Sequence, residues 1–107
     1  MRKFFQLQNL VGLSLLVGLM LGCGSQAEKH YKRGKQLREE GNLDQALEAY
    51  RLATQAEPDF APAYREMGVL LLTLKRPQEA IDPLLKLVEL APQQPENHLL
   101  LGQAQEA

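Results

Sequence analysis

A chain of 107 residues holds one small domain and leaves no room for a separate catalytic one. Twelve basic and thirteen acidic residues give a net charge of -1, and without Arg2 and Lys3 ten basic against thirteen acidic give -3. That balance argues against nonspecific nucleic-acid binding, which needs a basic excess to displace counterions from phosphate. Trp is absent, the few aromatics are not interleaved with basic residues, and the single Cys rules out an intrachain disulfide.

The chain begins with Arg2 and Lys3, and after a mixed stretch comes an apolar run from Leu10 to Leu21, interrupted by Gly12, Ser14 and Gly18. As a helix this run is about 18 Å long at roughly 1.5 Å per residue, short of the ~30 Å hydrocarbon core of a bilayer. It resembles a secretory signal peptide. The run stops at Met20-Leu21-Gly22-Cys23, which resembles the bacterial lipoprotein signal, with Met20 in place of the usual Leu. The resemblance implies cleavage before Cys23, a thioether-linked diacylglycerol on its sulfur and an acyl (palmitate-like) chain on its amino group. An unmodified thiol is the plainer alternative. Buried methylenes contribute about 0.8 kcal/mol each, so two or three chains would make a permanent membrane anchor. Gly24 stands where the family's inner-membrane retention signal has Asp, which implies the outer membrane, facing the periplasm, in a bacterium with two membranes. Residues 1–22 then form the signal peptide, and 23–26 the lipidated Cys and linker.

Self-comparison gives the strongest pattern. Gly34, Gly68 and Gly102 are equally spaced, and the same interval separates Ala46 from Ala80, Pro58 from Pro92, and the successive rings of His30, Tyr64 and His98. A period of 34 with small residues, a ring and a terminal Pro at fixed offsets resembles the tetratricopeptide repeat family. The resemblance implies an all-α fold, a short solenoid of antiparallel helical hairpins. One repeat spans 27–60, a second 61–94, and 95–107 is a partial third repeat or capping helix.

The residues support hairpins independently of that resemblance. Tyr31, Gly34 and Leu37 share one helical face, and Gly41-Asn42 supplies a turn. Leu43, Ala46, Leu47, Tyr50 and Ala53 make the apolar stripe of a second helix, and Pro58 ends it. Tyr64, Met67, Gly68 and Leu71, then Ala80, Ile81, Leu84, Leu87 and Val88, repeat the arrangement. Lys75-Arg76 replaces the Gly-containing turn, Pro77 starts the next helix, and Pro83 removes one backbone bond inside it. Close approach is expected where Gly34 faces Ala46 and Gly68 faces Ala80. Arg33 stands where the family has a large apolar residue, as suits a first repeat with no neighbour before it. Leu99, Leu100, Leu101 and Ala104 are expected to lie on the second hairpin, with some apolar surface left uncovered.

No catalytic, cofactor-binding or metal-binding constellation is visible. His30 and His98, two repeats apart, stand roughly 20 Å from each other if packed helices are ~8–10 Å apart, far beyond a shared zinc, and read as ring fillers. Glu39-Glu40 point in different directions and read as solvated. The family's concave surface is lined by the first helix of each hairpin. Carried over, this places Glu28, Tyr31, Lys32, Lys35 and Arg38 beside Arg65, Glu66, Val69 and Leu72. Lys32, Lys35, Arg38 and Arg65 would form a basic wall for an acidic protein or peptide partner, with Tyr31 and Val69 supplying apolar contact; ordinary solvated helix residues are the plainer alternative. Lys32 and Glu66 occupy the places of the Asn pair that forms the family's carboxylate clamp, so that clamp is absent. The expected function is that of a non-enzymatic, lipid-anchored adaptor at the bacterial envelope that binds no nucleic acid. A homodimer through the open C-terminal edge, or a remnant of a longer protein, is the alternative.

Overall fold

The computed structural model describes residues 26–107, so Cys23 and the apolar run before it lie outside the described residues. Helix α1 occupies 26–39 of these, followed by α2 Leu43–Ala56, α3 Ala61–Thr73, α4 Pro77–Leu90 and α5 Pro95–Glu106; no strand occurs among the described residues. Pro begins α4 and α5 and is the second residue of α3, positions where its missing N–H has no helical partner to lose.

Both hairpin turns have the same hydrogen bonds. The Asn42 N–H donates to the Leu37 carbonyl at 2.9 Å and the Gly41 N–H to the Arg38 carbonyl at 3.1 Å; one period later Arg76 donates to Leu71 at 2.8 Å and Lys75 to Leu72 at 3.1 Å. This is a Schellman closure, which requires a left-handed residue after the helix. Gly41 meets that requirement with φ +84, whereas Lys75 does so with φ 60 and bears the steric cost of its Cβ.

The rings that recur with the repeat act on the other turns. The Tyr64 hydroxyl donates to the Pro58 carbonyl at 2.8 Å, and His98 Nε2 lies 2.8 Å from the Pro92 carbonyl. His98 is exposed and Tyr64 half-buried. Rather than filling space, each ring ties the start of its helix to the proline that follows the preceding one.

Packing follows from two neighbouring leucines. Leu70 joins Leu37, Ala46, Ala49 and Tyr50 in one buried cluster, and Leu71 joins Ala80, Leu84, Leu87 and Ala104 in a second. Adjacent helical residues diverge by about 100°, so α3 serves both sides at once. Leu47 touches both clusters.

The close approaches at the glycines involve large side chains. A Cβ on Gly34 would stand 2.6 Å from Cε1 of Tyr50, and one on Gly68 would run into Cδ2 of Leu84. The nearest atoms to these glycines thus belong to the large side chains one helical turn beyond Ala46 and Ala80. Those two alanines are fully buried in the same clusters as Tyr50 and Leu84.

At both ends of the array polar residues stand where the interior is apolar. Where α3 has Ala63, Met67 and Leu70, α1 has Lys29, Arg33 and Gln36; where α3 has Tyr64, Leu71 and Leu72, α5 has His98, Gln105 and Glu106. Of the three leucines expected to rest on the second hairpin, Leu100 and Leu101 do so but Leu99 points away, 63% exposed. The buried inner position is taken by Asn97, whose Nδ2 donates to the Ala91 carbonyl at 3.2 Å while its Oδ1 has no partner.

Gly68 and Gly102 therefore respond oppositely to the same substitution. Gly68→Ala is expected to destabilise by roughly 1–3 kcal/mol through overpacking on Leu84. Gly102 has nothing within 4 Å of its Cβ position, so Gly102→Ala gains helix propensity of up to ~1 kcal/mol. Urea titrations of the two variants check this; equal effects would contradict the assigned contacts.

Candidate functional site

The site is a groove across α1 and α3. At one end is a cleft of about 350 Å³ lined by Tyr31 from α1, Ala61, Pro62, Arg65 and Glu66 from α3, and Leu87, Ala91 and Gln94 from the α4–α5 corner. At the other is a cleft of about 220 Å³ lined by Lys35, Arg38, Glu39 and Glu66. Glu66 belongs to both.

Tyr31 is held in place by aromatic contacts. Its ring meets Phe60 edge-on, centroids 5.4 Å apart, and Tyr50 at 5.9 Å with a 49° tilt, geometries that suit the ring quadrupole. Lys35 Nζ stands 5.4 Å from the Tyr31 centroid, a cation–π contact. Burial and then the Glu66 carboxylate push the Tyr31 phenol above its ordinary pKa. Phe60 carries no signal in the sequence pattern, because it sits in the turn before α3, off the helical period.

The wall is less basic than the sequence suggests. Arg38 reaches across to Glu66 and forms an ion pair between α1 and α3, which neutralises one of the four cations. Lys32, Lys35 and Arg65 are exposed. Lys32, Val69 and Leu72 line neither cleft, and half-buried Leu72 packs against the second core cluster. The structure thus brings Tyr31, Arg65 and Glu66 together in the first cleft, and Lys35, Arg38 and Glu66 in the second. Among the described residues no group of His, Cys, Asp or Glu is arranged to hold a metal ion, and no helix is long and apolar enough to cross a membrane.

Beneath the groove lies Tyr50, fully buried, its hydroxyl without a hydrogen-bond partner. Burial first, and then Glu66, push this phenol up to about 12. Outside the groove, side-chain hydrogen bonds from Arg51 and Arg76 hold Glu48 and Glu79 below the usual carboxylate range.

A family model described as tetratricopeptide repeat matches residues 31–95, more than half of the chain. The chain belongs to that family, whose all-α solenoid fold suggests a scaffold for protein–protein interaction. It is similar to DnaJ homolog subfamily C member 3 of Bos taurus, 32% identical over 91 residues that cover 80% of this chain and 18% of that protein. It is also similar to Protein O-mannosyl-transferase TMTC1 of Homo sapiens, 48% identical over 42 residues, 39% of this chain and 5% of that protein. The chain therefore spans less than a fifth of these curated relatives. Among solved structures, a tetratricopeptide repeat domain protein from Salinibacter ruber superposes with a TM-score of 0.57 at 23% identity, covering 75% of this chain and 89% of that one. The first such domain of Spaghetti (RPAP3), bound to an HSP90 peptide, gives 0.50 at 16% identity, covering 78% and 93%.

The Tyr50 phenol carries a pH signature. Its folded pKa lies above the unfolded value near 10, so its contribution to stability is present below about pH 10 and is lost as pH rises toward about 12. Tyr50→Phe removes both this dependence and an unpartnered hydroxyl, so the variant is expected to equal or exceed the wild type in stability at neutral pH. It should also lose less melting temperature on the alkaline side. Identical alkaline slopes for the two proteins would contradict the burial of this hydroxyl.

Proposed function

We propose that the mature chain is a lipid-anchored adaptor at the bacterial cell envelope that holds an acidic segment of a partner protein in the α1–α3 groove. What supports this reading most is the composition of the clefts: Tyr31, fixed by Phe60 and Tyr50, offers an apolar face, and Lys35 and Arg65 stand beside it. A preorganised aromatic flanked by exposed cations favours an acidic chain by contact and by steering its approach. The HSP90 peptide held by the Spaghetti (RPAP3) domain, SRMEEVD, is a precedent in the same fold for a peptide rich in carboxylates. The signal at Arg2 to Cys23 supplies the anchor, and Gly24 favours the outer membrane, facing the periplasm, in a two-membrane envelope.

Affinity capture from the native envelope tests both halves. Reversal of Lys32, Lys35 and Arg65 together to Glu is expected to cut partner recovery by about tenfold or more, and unchanged recovery would remove the groove reading. Cys23→Ser is expected to leave the precursor unprocessed and without acyl chains, and the mass of the mature N-terminus reports this directly. A mature wild-type N-terminus without acyl mass would refute the anchor.

A second reading, self-association through α5, is favoured by one observation: Leu99 is exposed beside Gly102, which has no neighbour. The rest of that face is polar, so any such dimer would depend on Leu99. Light scattering should then show a mass that rises with concentration in the wild type and not in Leu99→Ser; a constant mass removes this reading.

A further inference from the structure

A third cleft, of about 330 Å³, runs between α1 and α2 and shares no lining residue with the groove. Its floor is apolar: Leu37 and Ala49, both buried, and half-buried Leu52. Arg33, Gln45 and Glu48 stand exposed along its edges. Because the two helices run antiparallel, Leu37 and Gln45 lie toward the turn, and half-buried His30 lies with Leu52 toward the open end of the hairpin.

This lining selects a narrow apolar occupant. A helix is about 10–12 Å across with its side chains, so one seated here would strip water from Arg33, Gln45 and Glu48, and Glu48 is already committed to an ion pair with Arg51. The same cost falls on a partner helix and on a second copy of this chain. A single hydrocarbon chain instead covers the floor and leaves both edges wet.

The sequence supplies such a chain at the open end. The described residues begin at 26, three residues past Cys23, a span of at most ~11 Å at about 3.5 Å per residue. The ring ties of the later repeats point the same way. Tyr64 bonds the Pro58 carbonyl and His98 the Pro92 carbonyl, each six residues back. Six residues before His30 stands Gly24, the neighbour of Cys23.

We propose that this cleft shelters one acyl chain of Cys23 when the protein is off the membrane, the chain entering past His30 and lying over Leu52, Ala49 and Leu37. The same ring tie, made from His30 to the Gly24 carbonyl, holds the acylated residue at the entrance. This rests on the lipid-anchor reading above and adds a site for the lipid within the protein itself. A bilayer covers the chain on every side, so it outcompetes the cleft and draws the chain out. The partner groove stays free in both states.

The test is photocrosslinking of the acylated mature protein. Cells fed palmitate carrying a terminal diazirine place that group on the N-acyl chain; the purified protein has its acyl mass confirmed, is diluted out of detergent and is irradiated as a monomer. Peptide mapping is expected to find the adducts within 30–37 and 45–52, and vesicles of phosphatidylethanolamine and phosphatidylglycerol should divert them to lipid. Leu52→Gln is expected to cut the cleft adducts about fivefold, and Glu48→Leu, which extends the apolar lining, to raise them about twofold. A rise cannot come from unfolding, and circular dichroism checks that both variants keep their helices. Adducts spread evenly over the surface, or a Glu48→Leu yield no higher than that of Leu52→Gln, overturn the cleft while the anchor stands. A mature N-terminus without acyl mass overturns both.

Discussion

The fit of a large side chain against a glycine sets how closely the two helices of each hairpin approach, and the groove depends on that distance. Tyr50 can lie against α1 only because Gly34 has no Cβ, and from there its ring reaches Tyr31. In the second hairpin Leu84 makes the same fit on Gly68 but carries no polar atom, and that hairpin's share of the groove comes from Arg65 and Glu66 on α3. The two hairpins share a backbone design and differ in chemistry at one register.

The period of 34 revealed the architecture because it records backbone constraints: a left-handed residue at each Schellman closure, a proline after each second helix, a small residue at each crossing. Such constraints recur wherever the geometry recurs. Which residue fills each glycine notch was not legible, since Ala46 and Tyr50 both lie on the apolar stripe of α2 and spacing alone cannot rank them. The Arg38–Glu66 pair was hidden for a related reason. Its members sit in different repeats, so their meeting depends on how α3 stacks on α1 rather than on either helix. Phe60 and Asn97 lie in or next to turns, where helical periodicity carries no information.

Leu99 shows the opposite limit. Three consecutive leucines must spread around a helix, so at least one has to point outward, and the sequence showed that apolar surface would be left over. It could not say which leucine, because that depends on the rotation of α5 on α4, and Asn97 and Ala104 fix this by occupying the inner line. The outward polar residues at both ends of the array, Lys29 and Arg33 on α1 and Gln105 and Glu106 on α5, keep the exposed apolar area small despite the open stacking geometry.

The seam at Leu47, Leu70 and Leu71 also governs how the protein comes apart. Because α3 gives one leucine to each cluster and Leu47 reaches into both, neither hairpin retains a closed apolar interior once the other separates. Unzipping one repeat at a time, the usual freedom of longer arrays, has no stable halfway point here. A single proteolytic cut in the exposed Pro58-Asp59 turn would then release the whole groove at once, making loss of binding an all-or-none event.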